Sequence, residues 1–513
     1  MASTPAHPEV ASTARTDALA ALDNAKFSKA HVKAILVAGS GFFIDSYDNF
    51  VISLMVPMIA YEYFGHSSLE SKADGWVKAA SSWGNAVGQI SFAIMGDILG
   101  RKKVYGIELM ILIAGALLCA FASWPVNGNP NNLLIMLGIW RFILGVGIGG
   151  DYPVSAVITS EFASAKRRGT MIATVFAMQG FGIITGAIMA VIILSIMKQS
   201  ILDNALAAVY WRLKIPETPR FAMDVLKDED GGAMATQQFL ETNNLTHDVQ
   251  KPVEGKKGFF ADFAFAFRNY FNKWVNLKVL IGCAAAWFFL DIGYYGTSLN
   301  TPVVLDIIGF GKPTTKGNQR IFDDLWARAC GTAVINMAGT VPGYWFTVYF
   351  VDKWGRKPIQ YMGFVMLALL FLFLAIFLDD LKKSYHTLFV IMYSFAQFFF
   401  NFGPNATTFI IPAEVFPTAV RSTGHGISAA SGKVGAIIAA QGFSVIAKGS
   451  ANGLRNVLYT FSACCFLGLL FSFWVPETKG LTLEQLNETD HESSDNDDSG
   501  FQAAKTPSYP SQV

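Results

Sequence analysis

Long apolar runs separated by short polar intervals dominate the sequence. A membrane-spanning helix needs about 20 consecutive, mainly apolar residues. Runs of about this length lie at approximately 33–60, 74–98, 104–125, 132–158, 170–197, 278–299, 326–351, 358–378, 387–411, 423–447 and 455–475. The pattern therefore predicts an all-α membrane protein, with five spans before a hydrophilic interval and six spans after it.

The polar intervals predict five parts of the chain. These are a disordered cytosolic N-terminus (1–30), an N-terminal transmembrane half (31–215), a cytosolic central linker (216–276), a C-terminal transmembrane half (277–480) and a disordered acidic tail (481–513). Lys and Arg cluster in three short connections between the predicted spans, at 101–103, 166–168 and 353–357. Cytosolic loops carry an excess of these residues, so we expect these loops and both termini in the cytosol.

The two halves repeat the same short motifs in the same order. DILGRK at 97–102 recurs as DKWGRK at 352–357, and PET at 216–218 recurs at 476–478. The charged members of the repeated motifs are Asp97, Arg101, Asp352 and Arg356, together with the pairs Glu161 and Arg168, and Glu414 and Arg421. Repeated halves of this size predict two pseudo-symmetric six-helix units. We interpret the charged residues as conformational, because charge-assisted bonds between helix ends can lock one state of the bundle.

The first half departs from this symmetry where its sixth span is expected. Between Ser200 and Pro216 lie only fifteen residues, which include Asp203, Arg212 and Lys214. At a rise of about 1.5 Å per residue they extend about 22 Å, which is shorter than a bilayer core of about 30 Å. The sixth helix is therefore predicted to be truncated. Either the remnant crosses in a distorted way or a segment is missing, and we favour the missing segment.

Composition excludes several functional classes. The chain is 52% hydrophobic and only 15% charged, which is unlike a soluble globular protein. Its net charge of +1 provides no basic field for nucleic acid. The five cysteines have no metal-ligand spacing, and the sequence contains neither a phosphate-cradling loop nor a nucleophile–base pattern. We therefore expect no enzyme activity, no cofactor and no bound metal.

Charged residues inside the predicted spans are the strongest functional signal. They are Asp45, Asp48, Asp151, Asp291 and Lys433. Each costs roughly 2.5–3.5 kcal/mol at a bilayer centre, so they are expected to face a hydrated pathway between the halves. Asp45 and Asp48 share a helix face, and two carboxylates so close do not ionise together easily in a low dielectric. This makes them candidate proton carriers, with Arg141 as an alternative counter-ion.

The seventh predicted span offers a polar site in an apolar wall. Trp287, Asp291 and Tyr295 lie four residues apart on one helical face. Lys433 would either attract an anionic substrate or neutralise a nearby aspartate, and both alternatives stay open. A carboxylate and an ammonium together suit protonated phosphate, which donates to the first and accepts from the second. A lone glutamine in an apolar run, such as Gln179, more often forms hydrogen bonds between helices than it binds a substrate.

The chain resembles the phosphate:proton symporters of fungi and plants, within the major facilitator superfamily. The resemblance rests on GFFIDSYDNF, GVGIGGDYPVSA, SEFASAKRRG, IPETPRF, WFFLDIGYYG, FNFGPNATTFIIPAEVFPT and RSTGHGISAASGKVGAI, which extend from residue 41 to residue 437. It implies the major facilitator fold, the plasma membrane, and proton-coupled uptake of inorganic phosphate by alternating access. The substrate residues implied near the membrane midplane are Tyr152, Gln179, Trp287, Asp291, Tyr295, Lys433 and Asn405, and those for protons are Asp45, Asp48, Asp151 and Asp291.

Three alternatives accompany this interpretation. Relatives with the same GGDYP motif include carriers of glycerophosphodiesters and other organophosphates. A second alternative is a phosphate sensor that does not transport. The third is an inactive variant, since members of this family have a full sixth helix. The expected partners are phosphate, protons and the lipid bilayer, while the oligomeric state stays open.

Overall fold

The computed structural model describes residues 28–122, 129–202, 259–447 and 450–481. Every regular element in these ranges is helical, as predicted. The helices are α1 Lys29–Phe50, α2 Ile52–Phe64, α3 Ser71–Leu99, α4 Arg101–Phe121, α5 Pro130–Phe162, α6 Arg168–Ile196, α7 Lys198–Leu202, α8 Phe259–Phe271, α9 Trp274–Ser298, α10 Thr301–Ile308, α11 Gly317–Ile335, α12 Val341–Trp354, α13 Arg356–Ile376, α14 Leu378–Ser384, α15 His386–Asn401, α16 Pro404–Val415, α17 Arg421–Ala447 and α18 Ala451–Ser472. A π-helical turn, Asn336–Thr340, joins α11 to α12.

Eight segments in the described ranges are long and apolar enough to cross a membrane. They are α1 with α2, and then α4, α5, α6, α9, α13, α17 and α18. The other three predicted spans correspond to α3, to α11 with α12, and to α15 with α16. The sequence places six of these eleven spans after the central linker, and the structure has the same arrangement.

The two halves meet along two pairs of long helices. In one pair, α3 of the first half packs on α17 of the second, where a Cβ atom at Gly426 would lie 2.4 Å from the Cβ of Ala93. In the other, α12 packs on α6, and a Cβ at Gly180 would lie 2.8 Å from the Tyr344 ring. Each pair joins the second or fifth span of one half to the fifth or second span of the other. The interface therefore follows the internal repeat of the sequence.

The repeated DxxGRK motifs form the same turn in both halves. Gly100 ends α3 with φ 88°, and Gly355 ends α12 with φ 101°. Residues with a side chain rarely adopt these backbone angles. An arginine begins the next helix in each case, at Arg101 and Arg356. We call the end of the bundle that carries these turns the basic end, and the opposite end the outer end.

The last part of the predicted central linker is helical. Residues 216–276 are predicted to be a hydrophilic linker, but α8 lies within them and α9 begins at Trp274. Phe263, Phe267 and Phe271 follow one another at intervals of four, and their rings pack at tilted angles along one face of α8. This face packs with Phe416 of the second half. The phenylalanines at four-residue intervals therefore account for the helix in this part of the otherwise polar linker.

The predicted truncation of the sixth span lies outside the described residues. The first half is described as far as α7, which ends at Leu202, and the chain is next described from residue 259. The N-terminus before residue 28 and the acidic tail after residue 481 lie outside as well. The predictions for these parts stay predictions.

Candidate substrate site between the halves

A buried ion pair occupies the middle of the second half. The Lys433 ammonium, on α17, lies 2.9 Å from the Asp291 carboxylate and 2.8 Å from the Tyr295 hydroxyl, both on α9. The Lys433 and Asp291 side chains are 2% and 1% exposed. Of the two alternatives for Lys433, the structure contains the one in which the ammonium neutralises a nearby aspartate. Such a pair is stable in a low dielectric only while both partners are present.

Close packing of α9 and α17 brings this pair together. A Cβ atom at Gly432 would lie 2.5 Å from the Cδ1 of Trp287, so a side chain there would force the helices apart. The Trp287 ring in turn packs edge-on against Phe409 and His425. Small residues that permit such an approach are typical of membrane helix interfaces. The glycine before Lys433 therefore sets the distance between the charges.

A chain of polar side chains crosses from the first half to the second. The Gln179 amide donates to the Tyr152 hydroxyl at 2.8 Å, and the Tyr344 hydroxyl donates to the Gln179 oxygen at 3.2 Å. The Asn405 amide donates to the Tyr344 hydroxyl at 2.9 Å and to the Asn401 oxygen at 2.8 Å. Gln179 therefore does more than join helices of its own half, because its amide links α5, α6 and α12.

The ion pair and the polar chain are parts of one site. The Lys433 ammonium lies 5.3 Å from the centre of the Tyr152 ring and 4.3 Å from that of the Tyr295 ring. The Asn49 amide, on α1, donates to the Tyr295 hydroxyl at 3.4 Å. The structure thus brings together all seven predicted substrate residues. Trp287 belongs to this group because its ring lies against Gly432, the residue before Lys433.

The predicted proton carriers lie beside this site in the first half. Asp45 and Asp48 are on α1, and Asp45 is buried. Asp151 directly precedes Tyr152 on α5 and accepts a hydrogen bond of 2.6 Å from Ser155. The Arg141 guanidinium donates to main-chain carbonyls, among them that of Asp48 at 3.2 Å. Arg141 therefore holds the backbone of α1 beside the carboxylates.

Sequence reasoning missed several members of the site. Tyr344 bonds to two predicted residues and lies 3.5 Å from the Tyr294 hydroxyl, yet its sequence context, VPGYW, carries no charge. The π-helical turn just before α12 is a signal that is visible only in the structure, and such turns are frequent at functional sites. Sequence reasoning also did not single out a buried carboxylate outside this polar chain, Glu108 on α4. Its carboxylate lies 2.7 Å from where a Cβ at Gly150 would be, next to Asp151.

At the basic end, the repeated aspartates join the two halves. The Asp97 carboxylate, at the end of α3, accepts from the Thr423 backbone N–H and from its hydroxyl, both at 2.8 Å. The Asp352 carboxylate, at the end of α12, accepts from the same groups of Thr170 at 2.8 and 2.6 Å. Each carboxylate meets the N-terminus of a helix of the other half, where negative charge is favoured.

The other repeated charges extend these two contacts. Arg101 lies 3.3 Å from Glu161, and Arg356 lies 2.7 Å from Glu414. Arg421 reaches across the halves to Glu161 at 3.3 Å. Arg168 donates to the carbonyls of Ser160 and Leu481 at 3.2 and 3.1 Å. The eight predicted conformational residues therefore lie together at the basic end.

Polar contacts also join the halves at the outer end. The Lys78 ammonium, on α3, lies 2.9 Å from the side-chain oxygen of Asn300 in the second half. The Tyr61 hydroxyl donates to Asp324 at 2.9 Å, and Asp324 pairs with Arg328 at the same distance. Contacts between the halves are thus present at both ends, with the polar site between them. Within the described ranges, no three His, Cys, Asp or Glu side chains are grouped to hold a metal ion.

Comparisons with known proteins agree with the architecture. A family model described as "Sugar (and other) transporter" matches residues 33–489. The repressible high-affinity phosphate permease of Neurospora crassa is 40% identical, over 92% of this chain and 88% of the relative. The inorganic phosphate transporter PHO84 of Saccharomyces cerevisiae is 37% identical, over 96% of this chain and 90% of the relative. The matched family and both relatives are described as transporters or permeases, which agrees with the prediction that this chain is not an enzyme.

Solved structures agree on the fold. The proton:xylose symporter XylE of the major facilitator superfamily matches 90% of this chain and all of its own, with a TM-score of 0.62 at 19% identity. A partially occluded, inward-open form of XylE from E. coli gives a TM-score of 0.61. The predicted major facilitator fold is therefore confirmed.

Proposed function

This chain belongs to the sugar (and other) transporter family of major facilitator proteins, and we propose that it carries inorganic phosphate into the cell together with protons. The observation that carries the proposal is the buried pair of Lys433 and Asp291, placed among hydroxyl and amide groups between the two halves. The relatives named above as phosphate carriers support the choice of substrate.

Protonated phosphate matches the chemistry of this pair. The phosphate oxygens accept hydrogen bonds from the Lys433 ammonium and the Tyr295 hydroxyl, while its remaining hydroxyl groups donate to acceptors such as the Gln179 oxygen. A fully ionised dianion has no proton to donate, and it leaves the site with a net charge of −1 even when Asp291 is protonated. A neutral sugar would leave the ammonium without an anionic partner other than Asp291. Selectivity therefore comes from having both charges in one site.

Proton coupling follows from the competition for Lys433. While Asp291 is ionised, it holds the ammonium at 2.9 Å. A proton that reaches Asp291 neutralises the carboxylate and frees the ammonium for the phosphate anion. Asp45, Asp48 and Asp151 provide carboxylates beside the site for the passage of that proton.

Alternating access requires the contacts at the two ends to open in turn. Contacts at the basic end, formed by Asp97 and Asp352, hold one face closed, and those of Lys78 and Asp324 hold the other. The chain is a multi-pass membrane protein. We place it in the plasma membrane with the basic end and both termini in the cytosol, because Lys and Arg favour cytosolic loops.

The test is uptake of radiolabelled phosphate at acidic pH by yeast cells that lack their own phosphate carriers, with and without a protonophore. The unmodified chain is compared with Asp291→Asn and with a version in which residues 203–215 are replaced by a full membrane helix. We expect protonophore-sensitive net accumulation of phosphate, which Asp291→Asn abolishes.

Each outcome has a separate meaning. Uptake only by the version with the full helix would mean that the substrate is phosphate but that this chain is inactive as it stands. No phosphate uptake by either version at normal surface levels would refute the proposal. Labelled glycerophosphodiesters would then be the next substrates to measure.

A further inference from the structure

One face of α3 carries a line of buried polar residues, of which only Lys78 has been given a role so far. Asp74, Lys78, Ser82, Asn85 and Gln89 follow one another at intervals of four, four, three and four residues. This spacing places them on a single helical face. All five are less than a tenth exposed. A polar stripe of this length in a membrane helix faces protein or a water-filled path, and not lipid.

The outer end of the stripe holds a second buried cation. The Lys78 ammonium is 2.8 Å from the Asp74 carboxylate and 2.9 Å from the Asn300 oxygen. Asp74 also accepts a hydrogen bond from Ser444 of α17. Asn300 and Ser444 belong to the second half, while Lys78 and Asp74 belong to the first. When the halves separate at the outer end, Lys78 loses its partner Asn300.

The stripe leads from this cation to the depth of the central site. A Cβ at Gly75 would lie 3.0 Å from the backbone of Gln441, and one at Gly426 would lie 2.4 Å from Ala93, so α3 and α17 run antiparallel. In this register, Asn85 is level with Lys433. Lys78 is seven residues earlier on α3, which places it about 10 Å further toward the outer end.

The inner part of the stripe consists of amides without partners. Asn85 and Gln89 are both 0% exposed. In the part of the chain that the structure describes, none of their side-chain nitrogen and oxygen atoms has a hydrogen-bond partner. Buried amides are nearly always paired, because an unpaired one costs free energy. Two consecutive exceptions on one face indicate groups that bind something in another state of the protein.

We propose that this face of α3 is an outer access path for the phosphate anion, with Lys78 as its first binding residue and Asn85 and Gln89 as uncharged groups along it. The proposal rests on the function proposed above. Opening at the outer end exposes the Lys78 ammonium, which attracts the anion into the path. An amide both donates to phosphate oxygens and accepts from a phosphate hydroxyl, so Asn85 and Gln89 accompany the anion to Lys433 without holding it as tightly as a charge does.

The test is the dependence of initial uptake on external phosphate concentration, normalised to the amount of protein at the cell surface. We expect Lys78→Met to raise the external KM about tenfold, as expected for a lost charge-assisted bond. Asp74→Asn is the matched variant. It breaks the same ion pair but keeps the cation, so we expect its KM to be unchanged or lower.

A second variant removes only an uncharged group. We expect Asn85→Leu to raise the external KM several-fold without lowering the thermal stability of the protein in detergent, because the amide it removes has no partner in this state. This variant decides the matter if Lys78→Met fails to reach the surface.

Two results would overturn the proposal. One is an equal change of maximal rate in Lys78→Met and Asp74→Asn at unchanged KM, since Lys78 would then serve only to close the outer end. The other is an unchanged KM in Asn85→Leu. Absence of phosphate uptake by both the unmodified chain and the version with the full helix would instead refute the proposed function, so the two failures are distinguishable.

Discussion

The contact of Asp97 with the second half should control how readily the basic end opens. Its carboxylate accepts two hydrogen bonds of 2.8 Å from Thr423 and one of 3.3 Å from the Ser422 N–H. In Asp97→Asn, one oxygen becomes an NH₂ group, which faces a donor, and the remaining bonds lose their charge. Hydrogen bonds to a charged group contribute about 1.5–3 kcal/mol against about 1 kcal/mol for neutral ones.

The substitution should therefore favour the form open at the basic end by about 1–3 kcal/mol, or about 5–150-fold. The assay is the distance between spin labels at Lys166 and Lys353, which are exposed and lie in different halves at this end. We expect a longer-distance population to grow in Asp97→Asn. Asp352→Asn should also favour the form open at the basic end, because Asp352 makes the same bonds to Thr170. An uptake assay tests this second variant.

A matched control is available on the surface. Asp379 pairs with Arg455 at 2.6 Å, but its side chain is 72% exposed and surface pairs contribute little. Asp379→Asn should leave the label distances unchanged. If Asp97→Asn gave the same distances as Asp379→Asn, the assignment of Asp97 as a contact that holds this end closed would be wrong.

Two further substitutions test how the site is built. Tyr344→Phe removes the hydroxyl that joins Gln179 to Asn405, so we expect the KM for phosphate to rise several-fold and the free energy of unfolding to fall by about 1–3 kcal/mol. Uptake measures the KM and thermal unfolding measures the stability, with Tyr459→Phe on the exposed face of α18 as the control. Unchanged values would exclude Tyr344 from the site. Gly432→Val places a side chain against Trp287 and should abolish uptake. The control is Gly442→Val on the same helix, which should not abolish uptake because no atom lies within 4 Å of its Cβ position. Equal uptake by the two variants would contradict the packing argument.

The sequence predicts the membrane helices well, because a long apolar run is a local feature that can be recognised without knowing which helices pack together. The predicted run at 74–98 corresponds to Ser71–Leu99, although this helix is more polar than its neighbours. Its polar residues lie on one buried face, so the rest of the surface still suits a membrane. The segment at 259–271 was missed as a helix because its aromatic face packs on the protein and its neighbours in sequence are strongly polar.

The site is only partly predictable for a physical reason. A charge in a membrane span is costly wherever it lies, so Asp291 and Lys433 stand out in the sequence alone. Tyrosine and asparagine carry a smaller cost, and their role depends on which helices meet. Tyr344 and Asn401 enter the site because α12 packs on α6 and because Asn405 lies one turn from Asn401. These are relations between distant parts of the chain.

Under the proposed mechanism, a count of charges at the central pair shows why phosphate and proton must move together. The empty site holds one ammonium and one carboxylate, with a net charge of zero. The site with protonated Asp291 and monoanionic phosphate is again neutral. Phosphate bound without the proton leaves a net charge of −1, and an uncompensated charge is costly at the bilayer centre. Only the empty and the doubly loaded forms therefore reorient readily.

Asp291→Asn separates these two steps. Its loaded form, with Lys433 and monoanionic phosphate, is neutral, whereas its empty form carries the uncompensated charge of Lys433. We therefore expect this variant to exchange external labelled phosphate for internal phosphate while it fails to accumulate phosphate, because only accumulation requires the empty form to return. The measurement compares exchange and net uptake in vesicles preloaded with phosphate. Loss of both to the same extent, with phosphate binding retained, would mean that Asp291 is needed to move the loaded form, and the charge argument would be wrong.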